Sequence, residues 1–143
     1  MSNNSQPTTG RRVGYIVTIL VNAALFFVFN NLHKWPVSFI TITEDFSKVL
    51  WAINLSLAVA GFVNFIYLFF DPKWFRSLMQ AVQNCFSLLS TYTFYKVFPL
   101  DLPGSIFEKW TKIGLIVIMG LTCLGIIVEA INFLRWISKP QIN

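Results

Sequence analysis

The chain is short of most groups that soluble enzymes use for chemistry. It has a single histidine, His33, among 143 residues, so paired axial histidines for a haem and a multi-histidine metal centre are both excluded. Its two cysteines, Cys85 and Cys123, do not form a C-x-x-C pair, which counts against a thiol oxidoreductase. No P-loop, nucleophile elbow or dinucleotide glycine pattern occurs. Charge is scarce as well. Asp, Glu, Lys and Arg make up 12% of the sequence, against about 25% in an ordinary soluble domain, too few to solvate a surface. The formal charge of +5 is scattered over loops and ends with no arginine-rich stripe, so nucleic acid is not an expected partner.

What is plentiful is apolar sequence in long blocks: 55% of residues are hydrophobic and 17% aromatic. A helix that crosses a bilayer needs about 20 mainly apolar residues for roughly 30 Å of hydrocarbon. Four segments qualify, about 13–32, 49–70, 75–97 and 113–134. They predict an all-α integral membrane protein, a four-transmembrane-helix antiparallel bundle running up-down-up-down over residues 13–137. A disordered polar tail over 1–12 and a short tail over 138–143 flank it. The first apolar run is too long for a signal peptide and no small-x-small site follows it, so it reads as a retained span.

Orientation follows from the flanks. One side carries Arg11, Arg12, Lys73, Arg76, Arg135 and Lys139; the other carries Lys34, Lys48, Lys96, Lys109 and Lys112. All the arginines fall on the first side, which places both termini in the cytoplasm and the protein in the cell (plasma) membrane. Trp35, Trp51, Trp74, Trp110 and Trp136 all fall near span ends, with Arg76 beside Trp74. They read as interfacial anchors, apolar bodies with polar tips at headgroup level.

Turn chemistry sharpens the boundaries. In "FFDPKWFR" (69–76), Asp71 should cap the third helix and Pro72 should open it, making a tight hairpin corner. Thr43, followed by Glu44 and Asp45, should cap the second helix. Ser105-x-x-Glu108 has the form of a capping box for the fourth.

Polar side chains inside a bilayer are costly, so their positions carry the functional signal. At 100° per residue, Gln80, Gln83, Asn84, Ser87 and Thr91 fall on one stripe of the third span. Asn54, Gly61 and Asn64 share a face of the second, and Thr122, Gly125, Glu129 and Asn132 a face of the fourth. Thr18 and Asn22 share a face of the first. With a rise of 1.5 Å per residue, Asn64, Gln80 and Glu129 lie about 9 Å in from the cytoplasmic boundary, and Asn22 and Asn84 about 14–15 Å in. If the inner faces converge, Glu129 meets amides from three other helices. The candidate binding group is therefore Glu129, Asn22, Asn64, Gln80 and Asn84, with no catalytic constellation, metal site or cofactor. The expected protein is non-enzymatic. Its polar layer would bind or pass a small solute, ion or proton, as a homo-oligomer because one chain encloses little space. The alternative is an accessory or scaffold subunit of a membrane complex, in which the same layer is only interhelical packing and other membrane subunits are the partners.

Overall fold

The computed structural model describes residues 6–34, 41–102 and 104–138, apart from the side chains of His33 and Thr41. Trp35, Lys139 and residues 1–5 of the expected tail lie outside the described residues. Four helices carry the fold: α1 (Thr9–Asn31), α2 (Phe46–Tyr67), α3 (Lys73–Val97) and α4 (Ser105–Ile137). Two-residue strands, β1 (Thr41–Ile42) and β2 (Leu100–Asp101), pair antiparallel between the loops.

Three helices, α1, α2 and α4, are long and apolar enough to cross a membrane. The third has 25 residues, about 37 Å at 1.5 Å per residue, but Gln80, Gln83, Asn84, Ser87, Ser90, Thr91 and Thr93 dilute its apolar side chains. Its place in the fold comes from packing, not from its own hydropathy. Helix α1 begins at Thr9, ahead of the apolar run, so Arg11 and Arg12 are helical rather than part of a tail.

The expected cap bonds give way to other interactions. Pro72, with an extended backbone (φ −69°, ψ 147°), occupies the cap position of α3, and no side chain bonds the first-turn N–H groups. The Asp71 carboxylate is engaged by two arginines instead, so its charge is paired with full cations rather than with the partial charges of first-turn N–H groups. At α4 the cap residue is Gly104, at φ 98°, a backbone that only glycine adopts without strain. No capping box forms there, and Glu108 pairs with Lys112 one turn along. At α2 the cap residue is Asp45, not Thr43. Thr43 accepts the Phe46 N–H at its backbone carbonyl (3.0 Å), while its buried hydroxyl has no partner.

The helices pack in chain order: α1 on α2, α2 on α3, and α3 on α4. Helices α1 and α4 thus stand at the ends of a row, and neither buries a single residue fully. Helix α2 shows the sandwiched pattern. Trp51, Leu55, Phe62 and Phe65 form its exposed stripe, while Val49, Ala52, Ile53, Val63, Asn64 and Tyr67 are buried. The apolar core lies at the loop end, where Phe46, Val49 and Ile53 pack with Phe29, Leu32, Ile42, Phe94 and Val97. Val49 and Pro99 are fully buried there. Helix α3 stops because Phe98 turns into the left-handed region (φ 42°) just before Pro99, which cannot continue the helix. The Pro99 carbonyl then accepts the Thr43 N–H at 3.0 Å, starting the β1–β2 ribbon.

One interhelical polar contact is fully reciprocal. Asn30 and Asn54 exchange amide hydrogen bonds of 2.8 and 3.1 Å between α1 and α2. Amide pairs between membrane helices are worth about 0.6–2 kcal/mol. A double-mutant cycle with alanine at each position, read by reversible unfolding in detergent, should return a coupling of about 1 kcal/mol. A coupling indistinguishable from zero would show that the pair contributes nothing to α1–α2 docking.

Candidate functional site

The level of each polar residue along the row follows from a few contacts. Between α3 and α4, the Lys73 ammonium stands 4.8 Å from the Trp136 ring centre. Asn84 lies against Gly125, and the Lys112 ammonium stands 4.7 Å from the Phe98 ring centre. Residue numbers rise on one helix as they fall on the other, so Gln80 is level with Glu129. Between α2 and α3, the Tyr67 hydroxyl donates to the Arg76 carbonyl at 3.0 Å, which brings Asn64 to nearly the same level.

Lateral placement separates them. Asn22 is half-buried, donates to the Thr18 carbonyl of its own helix at 2.8 Å, and lines a cleft of about 290 Å³ with Phe26, Leu57 and Gly61 between α1 and α2. Asn64 is buried and donates to its own Ala60 carbonyl at 2.8 Å. Gln80 is exposed. Asn84 is half-buried at the α3–α4 contact, where its Nδ2 would lie 3.1 Å from a Cβ at position 125. Glu129 is half-buried on the side of α4 that also carries Thr122, Gly125 and Asn132. The row arrangement keeps α1 away from α4, so Asn22 does not join Glu129. Among the described residues no hydrogen bond links any two of the five, and no three His, Cys, Asp or Glu side chains form a metal-binding group. The Gln83 amide nitrogen is buried without a partner on the same helix. A second cleft, about 380 Å³ and apolar, lies between α3 and α4 against Cys85, Leu88, Tyr92 and Met119.

The densest polar cluster is elsewhere, at the α2–α3 corner. The Asp71 side chain is fully buried. Its Oδ2 lies 3.1 Å from the Arg11 guanidinium and 3.5 Å from that of Arg76. The Tyr15 phenol stands beside the same pair, and its ring lies 5.1 Å from that of Tyr67. Phe70, Trp74 and Phe75 close the corner with edge-on contacts, centres 5.1–6.2 Å apart. Three helices thus meet on one carboxylate, whose Oδ1 makes no hydrogen bond. The sequence puts Arg11 among the flanking cations of one side and Asp71 at the corner that carries Lys73 and Arg76 of the same side, where each is read separately, as a flanking charge and a cap. Their opposite charges at one boundary were the only signal that they meet across 60 residues.

No protein-family model, no curated protein and no solved structure matches this chain.

Proposed function

We propose that the chain is an integral membrane protein whose four helices all cross a cell membrane with both termini in the cytoplasm, and that it works without catalysis as an accessory or scaffold subunit. Three apolar helices support the membrane assignment. The third helix can cross because α2 and α4 pack on it and leave Gln83, Asn84, Ser87 and Thr91 of its polar stripe half-buried, with Gln80 exposed about two turns from its start. The observation that carries the scaffold role is where the seam spends its hydrogen bonds. Asn22 and Asn64 donate to their own helices, and Asn30 and Asn54 bond each other. That is the behaviour of packing groups, and it leaves α1 and α4 to present apolar side chains such as Leu20, Phe27, Leu121 and Leu124 outward to lipid and partner helices.

One observation favours a second reading, a homo-oligomer that passes a small solute, ion or proton. Glu129 accepts no hydrogen bond among the described residues although it lies level with Gln80. The two readings diverge on Glu129→Gln. For a scaffold, this change and Asn64→Ala should act only through thermal stability, and the tagged protein should leave native membranes with another membrane polypeptide in constant ratio. Lost flux in proteoliposomes at an unchanged unfolding midpoint, with no second polypeptide recovered, would replace the scaffold reading with the conducting one.

A further inference from the structure

Basic residues gather at one end of the helix row with little acid to balance them. Arg11 and Arg12 lie in the first turn of α1, Lys73 opens α3 with Arg76 just behind it, and Arg135 lies in the last turn of α4. The Arg11–Asp71–Arg76 cluster and the Lys73–Trp136 contact show that these turns share one end. The five cations face Asp71 alone, with Glu129 deeper along α4. At the other end, Lys34, Lys48, Lys96, Lys109 and Lys112 share their loops and helix ends with Glu44, Asp45, Asp101 and Glu108. Two of those lysines are already in ion pairs, Lys48 with Asp45 and Lys112 with Glu108. The two ends therefore carry five described cations each, but the acids leave one end at +4 (five cations, Asp71) and the other at only +1 (five lysines, four acids).

Backbone dipoles do not separate the two ends, because α2 and α4 finish where α1 and α3 start; the side chains of the first turns do. Helices α1 and α3 both start there, with no acidic residue in the first turn and no side-chain cap. Free N–H groups at a helix start carry partial positive charge, which an acidic side chain ordinarily offsets. Here the sequence supplies arginine and lysine instead. Apart from Asp71, no acidic side chain of the described residues stands at this level to balance them.

We propose that this end binds the phosphate groups of anionic phospholipids in the leaflet that it faces. The proposal rests on the membrane reading above and goes beyond it by naming the ligand chemistry. Arg11 and Arg76 are held by Asp71, so Arg12, Lys73 and Arg135 are the groups that turn toward the lipid. Arg12 makes only a surface bond to Gln6, and Arg135 is exposed. A guanidinium presents parallel donors that match two phosphate oxygens, and an ammonium acts as a point charge beside them. Trp74, exposed beside Lys73, and Trp136 put indole rings at the same level, where such rings favour the headgroup layer.

The full-length protein would be reconstituted in vesicles of phosphatidylcholine mixed with phosphatidylglycerol, extracted gently, and its retained lipids read by native mass spectrometry. Wild-type protein should keep phosphatidylglycerol several-fold above its share of the vesicle, and added sodium chloride should erase the excess because exposed charges are screened. The combined variant R12Q/K73Q/R135Q should lose the excess, whereas K34Q/K48Q/K109Q at the other end should keep it. An equal loss in both variants, or an excess in wild type that ignores salt, would overturn the proposal; the salt arm needs no variant to fold. Displacement of the lipid by inorganic phosphate alone would reassign the site to a soluble anion and likewise overturn it. Protein that floats with vesicles but shows no lipid preference refutes this inference and leaves the membrane reading standing. Protein that floats with none refutes both.

Discussion

Asp71→Asn is expected to lower the stability of the folded protein by about 2–3 kcal/mol, read as a fall in the reversible unfolding midpoint in detergent. Removing one partner from a buried ion pair leaves the other charge uncompensated, at a cost of about 3–5 kcal/mol when both are buried. Here Asp71 is fully buried, but Arg11 is 44% and Arg76 26% exposed, so both arginines can partly turn to water and the cost falls. The Tyr67–Arg76 backbone bond would persist, so the corner should loosen chiefly at α1. Arg11→Gln should cost less than Asp71→Asn, and the double variant less than the sum, because both changes remove the same contact. An Asp71→Asn protein within about 0.5 kcal/mol of wild type, the range of an ordinary surface substitution, would show that the cluster holds nothing.

The second large effect is expected at Gly125. A Cβ there would lie 3.1 Å from the Asn84 Nδ2 and 3.9 Å from its Cγ. Alanine at 125 asks the Asn84 amide to yield by a few tenths of an ångström. Leucine asks α3 and α4 to separate, which puts Gly125→Leu in the range of about 1–3 kcal/mol typical of overpacking. At Gly114 and Gly120, both exposed, an added Cβ meets nothing within 4 Å, so leucine there should leave the midpoint nearly unchanged. Asn84→Ala in the Gly125→Leu background should recover part of the loss by making room. Equal effects of leucine at all three glycines would mean that the α3–α4 approach is not set at Gly125.

Hydropathy made much of this architecture legible. The apolar blocks of α1, α2 and α4 announce themselves because lipid-facing side chains need no alternation. The faces were readable too. Thr122, Gly125, Glu129 and Asn132, grouped by angular spacing alone, lie together on the half-buried side of α4. Angular spacing says which residues share a helix face, but it does not say which helices meet. Convergence of four faces on Glu129 presumes a closed bundle, whereas the helices stand in a row and Asn22 faces α2. The same gap explains Asp71. Its local context, an acid before proline at a helix start, favours a cap, and nothing local reveals an arginine 60 residues earlier that pairs with the carboxylate instead. The β1–β2 ribbon was invisible for a similar reason, since two-residue strands leave no periodicity to detect.

That ribbon makes the chain a pair of helical hairpins fastened twice. Asp71–Pro72 joins them covalently at one end, and β1 with β2 clasps their loops at the other. A backbone nick at the covalent corner would therefore leave two fragments still clasped at the far end, with Val49 and Pro99 sealed beneath the clasp. The halves, α1–α2 and α3–α4, are the natural units for expressing this protein in pieces.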